Sequence, residues 1–143
     1  MSMTRNQCLS IAIVAWLGCV GQAAAANVAC PAVTKFVPSD AGNEGTEYTV
    51  EGDLKWEGQD YRAKVTDDIS GLKLVEVTID NGNGRIMCDY VADAETDVRM
   101  VALSTKPFKP VNDAAWSTVK IGSNEGRVCE ESKAGTCTFT VGN

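Results

Sequence analysis

The chain has 143 residues, with 13 lysines and arginines against 19 aspartates and glutamates, no histidine and a formal charge of −6. Such an acidic surface repels phosphate backbones and anionic lipid heads, which disfavours nucleic-acid and membrane-surface binding. Without histidine the usual proton carrier at neutral pH is missing, and a histidine-assisted serine or cysteine nucleophile cannot be built.

The first element in chain order reads as a leader. Residues 1–7 carry Arg5 and no acidic group, an apolar run of about 14 residues follows from Cys8 to Gly21, and Ala23 to Ala26 supply small residues. A basic start, a short apolar middle and a small-residue end form a secretory signal over residues 1–26, cut between Ala26 and Asn27. The run falls short of the roughly 20 residues that span a bilayer, so no integral membrane span is expected. Leu17-Gly18-Cys19 ends like a lipidation box, but Trp16 stands where such boxes usually carry leucine, and Gly21 to Ala26 suits a conventional cut better. On this reading Cys8 and Cys19 leave with the leader, as does Arg5. Residues 27–143 remain as a single exported domain, periplasmic or secreted, with a charge of −7.

Period-2 patterns then dominate. Thr46 to Val50, Asp53 to Glu57 and Tyr61-x-Ala63-x-Val65 alternate polar with apolar, with breaks expected at Glu51-Gly52 and Gly58-Gln59. The clearest signal is a hairpin. Leu72 to Asp80 and Arg85 to Val91 are β-rich and flank Asn81-Gly82-Asn83-Gly84, whose Asn-Gly pairs accept the positive φ of primed hairpin turns. On its second strand Ile86, Cys88 and Tyr90 share one face, expected to be the core side. Val98 to Leu103, Thr118 to Ile121 and Thr136 to Val141 complete the predicted strands, and Pro107 and Pro110 mark a loop or sheet edge between them. Many short strands joined by turns predict an all-β fold, a small antiparallel sandwich or barrel.

Four cysteines remain in the domain: Cys30, Cys88, Cys129 and Cys137. An even count in a short exported chain points to two disulfides. With no histidine, no C-x-x-C pair and wide spacings, a zinc site is not expected. Three connectivities are open. The pairing favoured is Cys129–Cys137, closing a terminal loop, with Cys30–Cys88 tying the N-terminus to a central strand.

Chemistry-bearing groups are few. Paired carboxylates could serve glycoside hydrolysis; the candidates are Asp67-Asp68 and the set Asp89, Asp93, Glu95 and Asp97, with solvated acidic loops as the plainer account. Asp93 to Asp97 and Asp80 to Gly84 resemble calcium loops only in part, lacking the glycine and distant glutamate of an EF-hand or placing Gly82 where a ligand is needed. No catalytic residue, metal or cofactor is therefore assigned. Trp116 and Trp56 are the candidate recognition anchors, tryptophan being enriched in interface hot spots, although the strand pattern at Leu54-x-Trp56 also suits burial.

Ala29-Cys30-Pro31, Tyr48, Trp56-x-Gly58, Cys88-x-Tyr90, Trp116, Cys129 and Cys137-x-Phe139 together resemble a family of small exported bacterial proteins classed only as a domain of unknown function. The resemblance implies a periplasmic or secreted β-rich protein and brings no catalytic residues. The leading functional expectation is a binding module for a protein partner, which the charge suggests is basic. One version is an inhibitor of a basic secreted hydrolase such as lysozyme. A structural envelope component and a carboxylate-based glycan hydrolase are the alternatives.

Overall fold

The computed structural model describes residues 25–92, 97–130 and 137–142. Nearly all of the expected leader, Asp93, Glu95 and residues 131–136 lie outside the described residues. The chain is all-β: ten strands and three single-turn 3-10 helices, with no longer helix among the described residues. The strands are β1 (Val37–Asp40), β2 (Thr46–Val50), β3 (Trp56–Asp60), β4 (Lys73–Asp80), β5 (Arg85–Val91), β6 (Asp97–Leu103), β7 (Phe108–Pro110), β8 (Ser117–Ile121), β9 (Asn124–Glu130) and β10 (Phe139–Val141). Eight of them form one antiparallel sheet in the order β1-β2-β3-β6-β5-β4-β9-β8, and β7 pairs with β10 in a separate ribbon. Among the described residues no pairing joins β1 to β8, so the sheet stays open at both edges.

Alternation, interrupted by a bulge at Val75 and by burial of both faces near the β4–β5 turn, gives this sheet one apolar face. In-register partners run across it as a row: Tyr48, Gly58, Met100, Cys88, Val77 and Cys129, from β2 to β9. Apart from the glycine, each is at most 1 % exposed. Gly58 was expected to break the chain into a turn, but it sits inside β3 because of packing. A Cβ there would run into the Met100 sulfur and lie 2.7 Å from the Arg99 carbonyl oxygen, so only glycine lets β6 close against β3. Ile86, Cys88 and Tyr90 do share the core face.

The cover comes from the N-terminal segment and the ribbon. Val28 exchanges backbone hydrogen bonds with Phe139 of β10 (2.7 and 2.9 Å). Phe139 packs edge-on against Phe108 and Trp56, with ring centroids 5.9 and 6.4 Å apart, and Phe36 packs edge-on against Tyr90 at 5.1 Å. Disulfides Cys30–Cys88 and Cys129–Cys137 fasten both pieces to the sheet, with Cα separations of 6.0 and 5.9 Å, and the pairing is the one the sequence favoured. The Tyr90 hydroxyl donates to the Pro31 carbonyl at 2.6 Å, one residue beyond the first disulfide.

The β4–β5 hairpin forms within a residue of its expected ends, but its turn differs. Only Gly84, at φ 62°, takes the left-handed conformation; Gly82 does not, and neither asparagine does. A buried carboxylate shapes the turn instead. Asp80 is fully buried and accepts hydrogen bonds from the Asn83 amide nitrogen (3.2 Å), Asn83 Nδ2 (2.8 Å) and Arg85 Nε (2.9 Å). Asn81 then grips β7: its Nδ2 donates to the Phe108 carbonyl while the Phe108 amide donates to its Oδ1, both at 2.9 Å. The calcium-like look of this segment is thus accounted for by a structural knot.

Burial alone works against the charged form of Asp80, yet the hydrogen bonds from Asn83 and Arg85 and the arginine's charge outweigh it and hold the carboxyl below its ordinary value. A group so lowered stabilises the fold fully above about pH 4, and that contribution is lost as pH falls through the folded-state value. Asp80→Asn should therefore cost about 2–4 kcal/mol at neutral pH in urea unfolding, and the difference from wild type should shrink in acid. Gly58→Ala should destabilise by about 1–3 kcal/mol through the forced approach to Arg99 and Met100.

Candidate functional site

The face of the sheet turned away from the cover carries the polar chemistry. Its rows are equally well registered. Glu47, Gln59, Arg99, Asp89, Glu76 and Glu130 stand in line across β2, β3, β6, β5, β4 and β9. Each is the sequence neighbour of a member of the buried row, so alternation sends it outward. Arg99 grips Asp89 with two hydrogen bonds, Nε at 2.6 Å and one terminal nitrogen at 2.9 Å. That hydrogen-bonded pairing, despite partial burial, raises the guanidinium's already high pKa further. Next along the row, Asp89 stands directly opposite Glu76, and Glu76 directly opposite Glu130. Like charges so placed repel across the strands. Thr78 Oγ1 donates to Glu76 Oε1 at 3.3 Å, a neutral donor that leaves the charge in place.

Two adjoining hollows open on this face, of about 490 and 620 Å³, and Gln59, Tyr61 and Arg99 line both. Tyr61 is 72 % exposed. The sequence put it in a strand with Ala63 and Val65, but β3 stops at Asp60. There the Asp60 carboxylate accepts from the Arg62 amide (2.8 Å) and the Ala63 amide (3.3 Å), turning the chain out of the sheet and leaving the Tyr61 ring to solvent. An alternating pattern shows no such capture, and the Asp-x-Arg-Ala run was the only hint of it.

The candidate anchors named from the sequence lie elsewhere. Trp56 and Trp116 are 4 % and 5 % exposed, both in the core, so neither indole is offered to a partner. The Trp116 carbonyl accepts from the Arg127 guanidinium at 2.9 Å, which ties the preceding turn to β9. Cys30, Cys88, Cys129 and Cys137 are all consumed in disulfides.

Of the carboxylates weighed for glycan hydrolysis, Asp89 is held through both oxygens by Arg99, and Asp97 is paired through one oxygen with Arg62 at 3.0 Å. Asp67 accepts from the Lys64 amide and Asp68 from the Ser70 amide, 2.7 and 2.9 Å, as turn-capping groups. Asp93 and Glu95 lie outside the described residues. Among the described residues no three histidine, cysteine or acidic groups gather as a metal site.

No protein-family model, curated protein or solved structure matches the chain. Its own geometry is what distinguishes the outward face: a carboxylate row with a single arginine, beside two hollows that share an exposed tyrosine.

Glu76 stands between two carboxylates of that row, so its charge is the one expected to cost the fold stability. Glu76→Gln keeps the acceptor for Thr78 and removes the charge opposed to Asp89 and Glu130. It should raise stability by about 0.5 kcal/mol in low-salt urea unfolding, with the gain fading as added salt screens the repulsion.

Proposed function

We propose that this protein is an exported binding module whose partner is a basic protein, met by the outward face of the sheet. The observation that carries this reading is the line Asp89, Glu76 and Glu130, three carboxylates in directly opposed positions on adjacent strands, with one arginine at its end. Directly opposed carboxylates are unfavourable cross-strand pairs, cations of a docked partner would relieve them, and sites that break local rules are where function is expected. The two disulfides suit an oxidising compartment outside the cytosol. The leader expected over residues 1–26 supplies the route there. Electrostatic complementarity of this kind speeds encounter and selects partners more than it sets affinity.

The test pairs affinity with stability. The oxidised chain is titrated with lysozyme as a basic probe, across a range of salt, beside its Glu76→Gln variant and an acidic protein of matched charge as control. Binding should be tighter than the control's and weaken steeply with salt. It should drop about threefold in Glu76→Gln, even though that variant is the more stable protein. Equal binding by the matched control, or a Glu76→Gln variant that binds as wild type does, would remove this reading and leave the structural envelope component in first place. The reduced and alkylated chain should bind no better than the control.

A further inference from the structure

Resting on the reading of the outward face as a docking surface for a basic protein, the geometry points to Tyr61 as its anchor. We propose that the two hollows receive an arginine- or lysine-bearing segment of the partner, with one cation over the Tyr61 ring and beside the Glu47 carboxylate.

Tyr61 has what an anchor needs. Its backbone is fixed on two sides: the Asp60 carboxylate caps the turn that follows it, and the loop before β2 closes on it from the other side. At Gly45 a Cβ would lie only 2.7 Å from the Tyr61 backbone carbons. Its ring, by contrast, is 72 % exposed and joins none of the aromatic pairs of the core among the described residues. A ring carried on a fixed backbone, with its face free, spares a partner the cost of ordering the chain beneath it.

The charges around the ring select the occupant. Both arginines that line the hollows are taken, Arg62 by Asp97 and Arg99 by Asp89, which leaves little to draw an anion. Glu57, at the rim, is paired with Lys55 at 2.7 Å. Glu47 lines the larger hollow together with Tyr61 and has no partner among the described residues. An aromatic face beside an unpaired carboxylate suits a guanidinium or ammonium group, which the ring quadrupole and the carboxylate attract together. A neutral sugar could stack on the same ring but would gain nothing from Glu47 or from the carboxylate row.

The experiment uses the full oxidised chain and a hexa-arginine peptide, followed by calorimetry at low salt, with chitotriose as the neutral-glycan probe. Tyr61→Ala and Tyr61→Leu should each weaken peptide binding about threefold to fivefold, Tyr61→Phe should bind as wild type does, and Glu47→Gln should lose about threefold. Glu125→Gln, exposed on β9 and lining neither hollow, should change affinity less than twofold. Since Tyr61 and Glu47 are surface side chains, unchanged urea unfolding of the variants separates lost binding from lost fold. Full affinity in Tyr61→Ala alongside weakened binding in Glu76→Gln would overturn the anchor and keep the docking face. Absence of peptide binding at low salt would overturn both. Chitotriose bound in a Tyr61-dependent way, with the peptide unbound, would make the hollow a glycan site and overturn the proposal.

Discussion

A sheet with one apolar face must have it covered, and here the cover has almost no secondary structure of its own. It consists of the segment from Val28 to Phe36 and the short β7–β10 ribbon, which meet at the Val28–Phe139 backbone pair. Pieces this short cannot hold their places by hydrogen bonding alone. Each is instead bonded covalently to the same buried row of the sheet, Cys30 to Cys88 and Cys137 to Cys129, with Val77 between the two anchor points. In the chain-entropy account, closing separations of 58 and 8 residues contributes about 4 and about 2.5 kcal/mol. That is a large share of the 5–15 kcal/mol or so by which a domain is stable. The aromatic contacts of Phe36, Trp56, Phe108 and Phe139 then pack what the disulfides have brought together.

Several landmark residues of the sequence share one physical role in this frame. Cys30 and Pro31 receive the bonds of Cys88 and Tyr90; Gly58 admits Met100; Trp56 meets Phe139; Cys137 leads into β10 beside the same Phe139. Every one of them joins the cover to the sheet or one sheet strand to the next. Contacts of this kind specify an architecture and are silent about what the architecture presents to solvent.

Much of the fold was legible in the sequence because burial writes itself as alternation. The β4–β5 hairpin and β6 could be placed within a residue or two, and so could the core face of Ile86, Cys88 and Tyr90. Two disulfides were legible in the even cysteine count, whereas the pairing was only favoured among three open connectivities and is decided by which strands the fold brings together. The misses have local causes. Gly58 and Tyr61 were misread because glycine packing under Met100 looks like a turn, and a carboxylate capturing two amides looks like continued alternation. β1 and β9 went unseen. All four residues of β1 are exposed, and β9 opens polar, with Gly126 where a side chain would strike Ile121. Trp56 and Trp116 drew attention as anchors because residue type says nothing about depth. The outward row was illegible for a deeper reason: its members are scattered from Glu47 to Glu130, and only the strand order aligns them.

That alignment weighs little against what holds the fold. Two opposed like-charge contacts cost about 0.2–1 kcal/mol each, and the disulfides contribute several times as much. A sheet held together only by its inward packing would be pressed to remove the repulsion, since Arg99 bonds Asp89 directly and reaches Glu76 only through space, with Glu76 opposite two carboxylates. With the cover fastened covalently on one side, the other side is released from contributing to stability. Its side chains are then free to be arranged for something other than folding, and the capped turn at Asp60 uses that freedom to hold a tyrosine ring out over the charged surface.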